Sequence, residues 1–162
     1  MTTAFLLDTS FLITLVDDRR PRHDVARKYF EQALANGAVM FVSSLALAEF
    51  ARKQAVTDLP LSALRVLPFN IDHAIASGGL ASAMMPLRDP DDERATVLTD
   101  LKLIAQADCE RIPHILTEDR RTLAKYVDRA RTEGVSQCRA VVLADGFDSC
   151  WFNDGQTTLP LT

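Results

Sequence analysis

Four carboxylates occupy comparable places in this chain. Asp8 ends the apolar run Ala4-Phe5-Leu6-Leu7 and precedes Thr9-Ser10, while Glu49 comes shortly after Val39-Met40-Phe41-Val42-Ser43-Ser44. Asp100 borders the stripe Val97, Leu98, Leu101, Ile104, and Asp119 follows His114-Ile115-Leu116-Thr117. Carboxylate oxygens are the natural ligands of hard cations such as Mg²⁺ and Mn²⁺, and several of them in one cleft repel one another unless a cation neutralises them. Each acid alone has a plainer use: Asp8 as a turn or cap residue, Glu49 and Asp100 as solvated helix acids, Asp119 as the N-cap of a helix starting at Arg120. Taken together they imply a single acidic pocket holding a metal.

The elements around them have to bring these acids together. An apolar run ended by Asp-Thr-Ser reads as a buried strand handing over to a helix, because Thr9 and Ser10 can accept hydrogen bonds from the helix's first N–H groups. Asp8 then stands at a strand's carboxyl end, the rim where ligands bind in open α/β sheets. The short helix through Phe11, Leu12, Leu15 and Val16 stops at Asp17-Asp18-Arg19-Arg20-Pro21. Helical spacing predicts a helix over 23–36 closed by Gly37, a strand at 39–42, and a helix capped by Ser43-Ser44 that runs to about Val56 and carries Glu49.

Leu64 to Phe69 reads as a third strand, placed at an edge by Pro68, and Asp72 as the cap of a helix through Met85, weakened by Gly78-Gly79. The polar loop Arg88-Asp89-Pro90-Asp91-Asp92 feeds a long helix from Glu93 to Asp108. At roughly 100° per residue, Asp100 lies about 60° from Val97 and about 40° from Ile104, on the border between core and solvent. A strand at 114–117, a helix from Arg120 to Glu133 closed by Gly134, and a strand at 139–144 complete the alternation. Turns and a small hairpin around Trp151-Phe152, flanked by Asp145-Gly146 and Asn153-Asp154-Gly155, then lie over the sheet edge. Strands alternating with helices give a mostly parallel α/β sandwich. We expect one domain over 1–144, with 145–162 as a C-terminal extension packed on it.

Composition narrows the class. With 162 residues, 48% hydrophobic and 25% charged, the chain can build one substantial core and is not disordered. No uncharged apolar run approaches the roughly 18 residues of a membrane span, and the N-terminus lacks a basic start and long apolar segment, so a cytoplasmic protein is expected. Cys109, Cys138 and Cys150 are odd in number and widely spaced, which reads as reduced thiols. A net charge of −4 excludes a protein that coats nucleic acid through bulk positive charge, but not a nuclease. Basic clusters at Arg19-Arg20-Pro21-Arg22, Arg27-Lys28, Arg52-Lys53 and Arg120-Arg121 with Lys125 can still hold phosphates. His23, His73 and His114 show no cysteine or acidic partner at ligand spacing, and paired-histidine ribonuclease chemistry is disfavoured accordingly.

The segments Leu6-Leu7-Asp8-Thr9-Ser10-Phe11-Leu12-Ile13, Ser43-Ser44-Leu45-Ala46-Leu47-Ala48-Glu49, Asp100-Leu101-Lys102-Leu103-Ile104-Ala105 and Ile115-Leu116-Thr117-Glu118-Asp119-Arg120-Arg121 resemble, in order, the motifs of PIN-domain ribonucleases, the VapC toxin type in particular. The resemblance covers about residues 4–143. It implies a three-layer α/β/α fold, one or two Mg²⁺ or Mn²⁺ ions and cleavage of RNA by metal-assisted hydrolysis. It puts Asp8, Glu49, Asp100 and Asp119 at the catalytic, metal-binding positions, with Thr9, Ser10 and Thr117 as supporting hydroxyls. It further implies a homodimer and a cognate antitoxin that fills the cleft; Phe30, Leu34, Leu64, Leu80, Met84 and Met85 are candidates for the apolar surface such partners need.

Two departures leave a stand-alone nuclease open beside a toxin. The stretch before Asp100, with Asp89, Asp91, Asp92 and Glu93, is longer and more acidic than the family's usual connection, and the tail from Asp145 to Thr162 exceeds the compact toxin pattern. A HAD-type phosphotransferase needs a second acid where this chain has Ser10, and a dinucleotide-binding domain needs a Gly-x-Gly-x-x-Gly that is absent. The remaining alternative is a non-catalytic PIN-like module binding RNA or protein, in which four retained acids would carry an uncompensated repulsion.

Overall fold

A computed structural model describes residues 3–153. Five parallel strands, β1 (Ala4–Leu7), β2 (Val39–Ser43), β3 (Arg65–Leu67), β4 (His114–Thr117) and β5 (Arg139–Val142), lie in the order β3-β2-β1-β4-β5. Six α-helices join them: α1 (Thr9–Val16), α2 (His23–Ala35), α3 (Ser44–Ala51), α4 (Ile71–Met84), α5 (Arg94–Cys109) and α6 (Leu123–Thr132). Because β1 pairs with β2 on one side and β4 on the other, the order reverses at β1, and the crevice of the sheet opens at the carboxyl ends of β1 and β4. Asp8 and Glu118-Asp119 follow those two ends directly.

The alternation of side chains along β1 splits the core into the two faces of an α/β/α sandwich. Phe5 and Leu7 join Phe11, Leu12, Tyr29 and Phe50 beneath α1, α2 and α3. Leu6 joins Met84, Leu101, Ile104, Tyr126 and Val127 beneath α4, α5 and α6. Phe5, Leu6 and Leu7 are wholly excluded from solvent, so the strand that ends in Asp8 is fixed from both sides.

Several boundaries differ from the sequence expectation. The third helix ends at Ala51 rather than near Val56: the N–H groups of Arg52 and Lys53 close a tight last turn onto Glu49 and Phe50, Ala55 is extended, and a 3₁₀ turn at Val56–Asp58 brings buried Leu59 to the core. The fourth helix is capped by Asn70, not Asp72; the Asn70 side chain accepts from the His73 N–H, and His73 Nδ1 accepts from the Asn70 N–H. That reciprocal cap and the burial of Leu80 and Met84 carry the helix through Gly78-Gly79, which cost about 1 kcal/mol each. The third and last strands are shorter than expected, and the sixth helix begins at Leu123 rather than Arg120.

The C-terminal segment is not a hairpin in its described part. Ser149–Phe152 forms a 3₁₀ turn, with Phe152 against Phe5 and Tyr29 and Trp151 against His114; Asp154-Gly155 and the rest of the tail lie outside the described residues. Of the apolar residues put forward as partner surface, Leu64, Leu80 and Met84 are buried in the monomer, Phe30 and Met85 are half-buried, and Leu34 alone is exposed. No helix among the described residues is long and apolar enough to cross a membrane.

Candidate functional site

Asp8 is the N-cap of α1, with extended backbone, and one carboxylate oxygen gathers its partners. Oδ2 accepts from the Ser10 hydroxyl at 2.6 Å, the Ser10 N–H at 3.4 Å and the Thr117 hydroxyl at 2.9 Å. Both sides of the crevice are thereby stitched together, since Thr117 ends β4 and Ser10 opens α1. The same two hydroxyls hold the far loop: Ser10 Oγ accepts from the Glu118 N–H at 2.8 Å and Thr117 Oγ1 from the Asp119 N–H at 2.9 Å. Thr9 takes the other direction and donates to Glu49 Oε2 at 2.8 Å, linking α1 to α3. Ser43 caps α3 through the Leu45 N–H, so Glu49 emerges nearly two turns in, on the cavity side.

Asp119 is not a helix N-cap. Thr122 holds that place, and Asp119 forms a turn ahead of the helix, accepting from the Thr122 N–H at 2.9 Å and from its hydroxyl. Thr122 and Glu118 were not recognisable as participants from sequence; threonine or glutamate beside a strand end has no signature of its own. Glu118 points to another network, bonded to Thr14, Arg20 and Arg22. Burial alone would raise its pKa, but those bonds outweigh it and hold the carboxyl below its usual range.

Asp8, Glu49, Asp100 and Asp119 line one cavity of about 470 Å³, together with Thr9, Ser10, Thr96 and Thr99 and the basic side chains Arg20, Arg52 and Lys53. Their burial is unequal. Asp8 and Asp100 are each 7% exposed, Asp119 is half-buried and Glu49 lies open at the rim. Burial raises the Asp8 pKa in spite of its hydrogen bonds. Asp100 is pushed up to about 8, first by burial and then by the negative charge of Asp8, with Asp119 and Glu49 adding to it and a hydrogen bond with Thr122 opposing.

The acids Asp89 and Asp92 of the long acidic stretch before α5 belong elsewhere. Asp89 and Asp92 both take Lys125, Asp89 also takes Arg129, and Asp92 accepts from Tyr126 Oη at 2.7 Å. Asp100 is the acid of that region that reaches the cavity. Among the described residues no histidine lines it; His73 pairs with Glu110 at 2.7 Å, an acid distant in sequence and outside the cavity.

A hard cation suits this donor set. Asp100 Oδ2 is buried without a hydrogen-bond partner among the described residues, and the lining offers oxygen ligands rather than sulfur or imidazole. No three acidic, histidine or cysteine side chains among the described residues are drawn together closely enough to clasp an ion unaided.

The PIN domain family profile matches residues 5–129. No curated protein matches the chain by sequence. Among solved structures the fold is similar to the VapBC2 complex of Rickettsia felis bound to a DNA fragment from their promoter, with TM-score 0.60 and 15% identity over 86% of this chain and 98% of that one. It is also similar to DNA-bound VapBC of Salmonella typhimurium, with TM-score 0.57 and 19% identity over 88% and 99%. A third likeness is to the sarcin–ricin-loop-cleaving toxin VapC20 of Mycobacterium tuberculosis, with TM-score 0.51 and 18% identity over 72% and 91%. These likenesses concern the fold, and the profile covers most of the chain: this protein belongs to the PIN domain family.

Proposed function

We propose that this chain is a Mg²⁺- or Mn²⁺-dependent endoribonuclease whose reaction takes place in the acidic cavity. The observation that carries the reading is the convergence of Asp8, Glu49, Asp100 and Asp119 on one cavity, with a buried Asp100 oxygen that no donor among the described residues satisfies. Asp8 and Asp100, the most buried of the four, would hold the cation, with Asp119 and Glu49 adding negative charge beside them. A bound cation would lower the pKa of a ligated water and stabilise the oxygens that gain charge on phosphorus. Ser10 and Thr117 direct the lone pairs of Asp8 by occupying one of its two oxygens, and Thr9 fixes Glu49 in the same way. Thr122 orients Asp119. Arg20, Arg52 and Lys53 supply positive charge at the lining, where an RNA backbone would have to enter an otherwise acidic cleft.

A non-catalytic binding module is the weaker reading. Such a module gains nothing from a buried carboxylate whose charged form is disfavoured, and the simplest relief would be an amide at position 100. The fold relatives from Rickettsia felis and Salmonella typhimurium are VapBC complexes, which supports the further proposal that this chain pairs with an antitoxin.

The test is cleavage of single-stranded RNA by the purified chain with Mg²⁺ or Mn²⁺, and its loss in EDTA. Cleavage that survives thorough chelation overturns the metal-dependent reading; metal binding without any cleavage favours the binding module.

A further inference from the structure

We propose that Arg20 binds an RNA phosphate beside the acidic cavity, held there as a positioned guanidinium by Glu118 and Thr14. The proposal rests on the nuclease reading and adds to it a residue outside the carboxylate set. Arg20 lies in the loop after α1, away from the carboxylate motifs, yet it lines the same cavity as Asp8 and Asp119.

Its geometry sets it apart even from Arg22, which also reaches Glu118 but by a single bond at 3.4 Å and outside the cavity lining. Arg20 Nε donates to Thr14 Oγ1 at 3.1 Å and Nη2 to Glu118 Oε2 at 2.8 Å, which leaves Nη1 without a protein partner among the described residues. Thr14 is fully buried, and the Glu118 side chain is only 13% exposed, whereas Arg20 keeps 38% of its side chain open. The anchors are therefore rigid and the guanidinium is presented at the surface. Arg19, one residue away, is 86% exposed and pairs with Asp17 outside the cavity. A guanidinium already fixed by two bonds loses little side-chain freedom when a phosphate binds, so its charge contributes more than that of a free arginine.

Glu118 also couples this arginine to the acids. Its N–H donates to Ser10 Oγ, the hydroxyl that donates to Asp8, so the backbone that orients Asp8 and the side chain that orients Arg20 belong to one residue. Arg52 and Lys53, in the turn that closes α3, follow Glu49 by three and four residues and line the same cavity. The lining thus draws positive charge from two separate segments, the loop after α1 and the turn after α3, and a strand entering the cavity would meet both.

The experiment uses fluorescence anisotropy of a short labelled oligoadenylate in EDTA, where no cleavage occurs, and cleavage of the same RNA with Mn²⁺, both over a range of salt concentrations. For Arg20→Met, binding should weaken by about tenfold and the slope of log affinity against log salt should become shallower by about 0.7, one phosphate contact to single-stranded nucleic acid. KM should rise with kcat within about twofold of the parent. Arg20→Lys should retain the salt slope and recover part of the affinity, and Glu118→Gln, which frees the arginine without removing it, should weaken binding less than Arg20→Met does. Arg19→Met should match the parent. An Arg20→Met protein that binds and cleaves like the parent, or one that loses kcat and melting temperature but keeps the parent's salt slope, overturns the assignment while leaving the nuclease reading intact. A parent that neither binds nor cleaves RNA overturns both.

Discussion

Two acid-rich regions of this molecule look alike in sequence and opposite in structure. In the loop before α5, Asp89 and Asp92 meet Lys125, Arg129 and Tyr126, and hydrogen bonds from Lys125 lead the effects that hold both carboxyls below the usual range. In the cavity beside the carboxyl ends of β1 and β4, Asp8 and Asp100 are buried with only uncharged hydrogen-bond donors beside them, and burial pushes both carboxyls up. The first region is satisfied by the protein itself and fastens α5 to α6. In the second, Asp8 and Asp100 form no ion pair among the described residues, which fits a site meant for a ligand the chain does not supply. Acid content does not separate the two; the company each acid keeps does.

The largest expected effect breaks the second region. Asp8→Asn retains the shape and the capping oxygen while removing a charge, so cleavage with Mg²⁺ or Mn²⁺ should fall by about a hundredfold or more, with the melting temperature in EDTA unchanged or higher. A structural Asp8 would give the reverse, near-normal cleavage with a lower melt. An Asp8→Asn protein that cleaves RNA at the parent rate removes the basis of the nuclease reading.

A smaller effect comes from pH. The folded Asp100 keeps its proton up to about pH 8, whereas the unfolded carboxyl releases it near its ordinary value of 3.8. Between those values the folded state binds the extra proton, so metal-free stability should decline as pH rises, by up to about 1.4 kcal/mol per pH unit. Thermal melts in EDTA from about pH 5 to about pH 8 should show this decline, and Asp100→Asn should flatten it. Saturating Mg²⁺ should flatten it, because an ion bound to the charged carboxylate leaves the folded state with no extra proton; a parent whose metal-free melt rises across that range contradicts this reading of Asp100.

The smallest effect belongs to the first region. Tyr126 is fully buried, and its hydroxyl bridges the Asp89 N–H and the Asp92 carboxylate. Tyr126→Phe should cost about 1 kcal/mol, a drop of roughly 2–4 °C in melting temperature, with cleavage per folded molecule near the parent value. Loss of cleavage without loss of stability would show that the loop acts on the site directly, and the contrast between the two regions would fail.

Much of this was legible in the residues. The strand that ends in Asp8 and the order of the alternating elements follow from short apolar runs bounded by hydroxyls, prolines and glycines, and Asp100's place on the border of its helix follows from helical spacing. What could not be read were relations between distant segments. Whether Asp89, Asp92 or Asp100 faces the crevice depends on Lys125, Tyr126 and Arg129, which meet Asp89 and Asp92 from 33 to 40 residues away in sequence. The cap at Asn70 was hidden because its partner is a histidine rather than the usual acid or amide. Leu64, Leu80 and Met84 looked available to a partner because spacing shows that a face is apolar but not which neighbour covers it.

The most direct measurement of the central claim is a calorimetric titration of Mn²⁺ into the purified parent and into Asp100→Asn at a pH near 7. The account predicts saturable binding to the parent with release of protons, because a carboxyl held protonated by burial must give up its proton to bind the ion, and binding at least about tenfold weaker with little proton release in the variant. Equal affinity and equal proton release in the two proteins would contradict it.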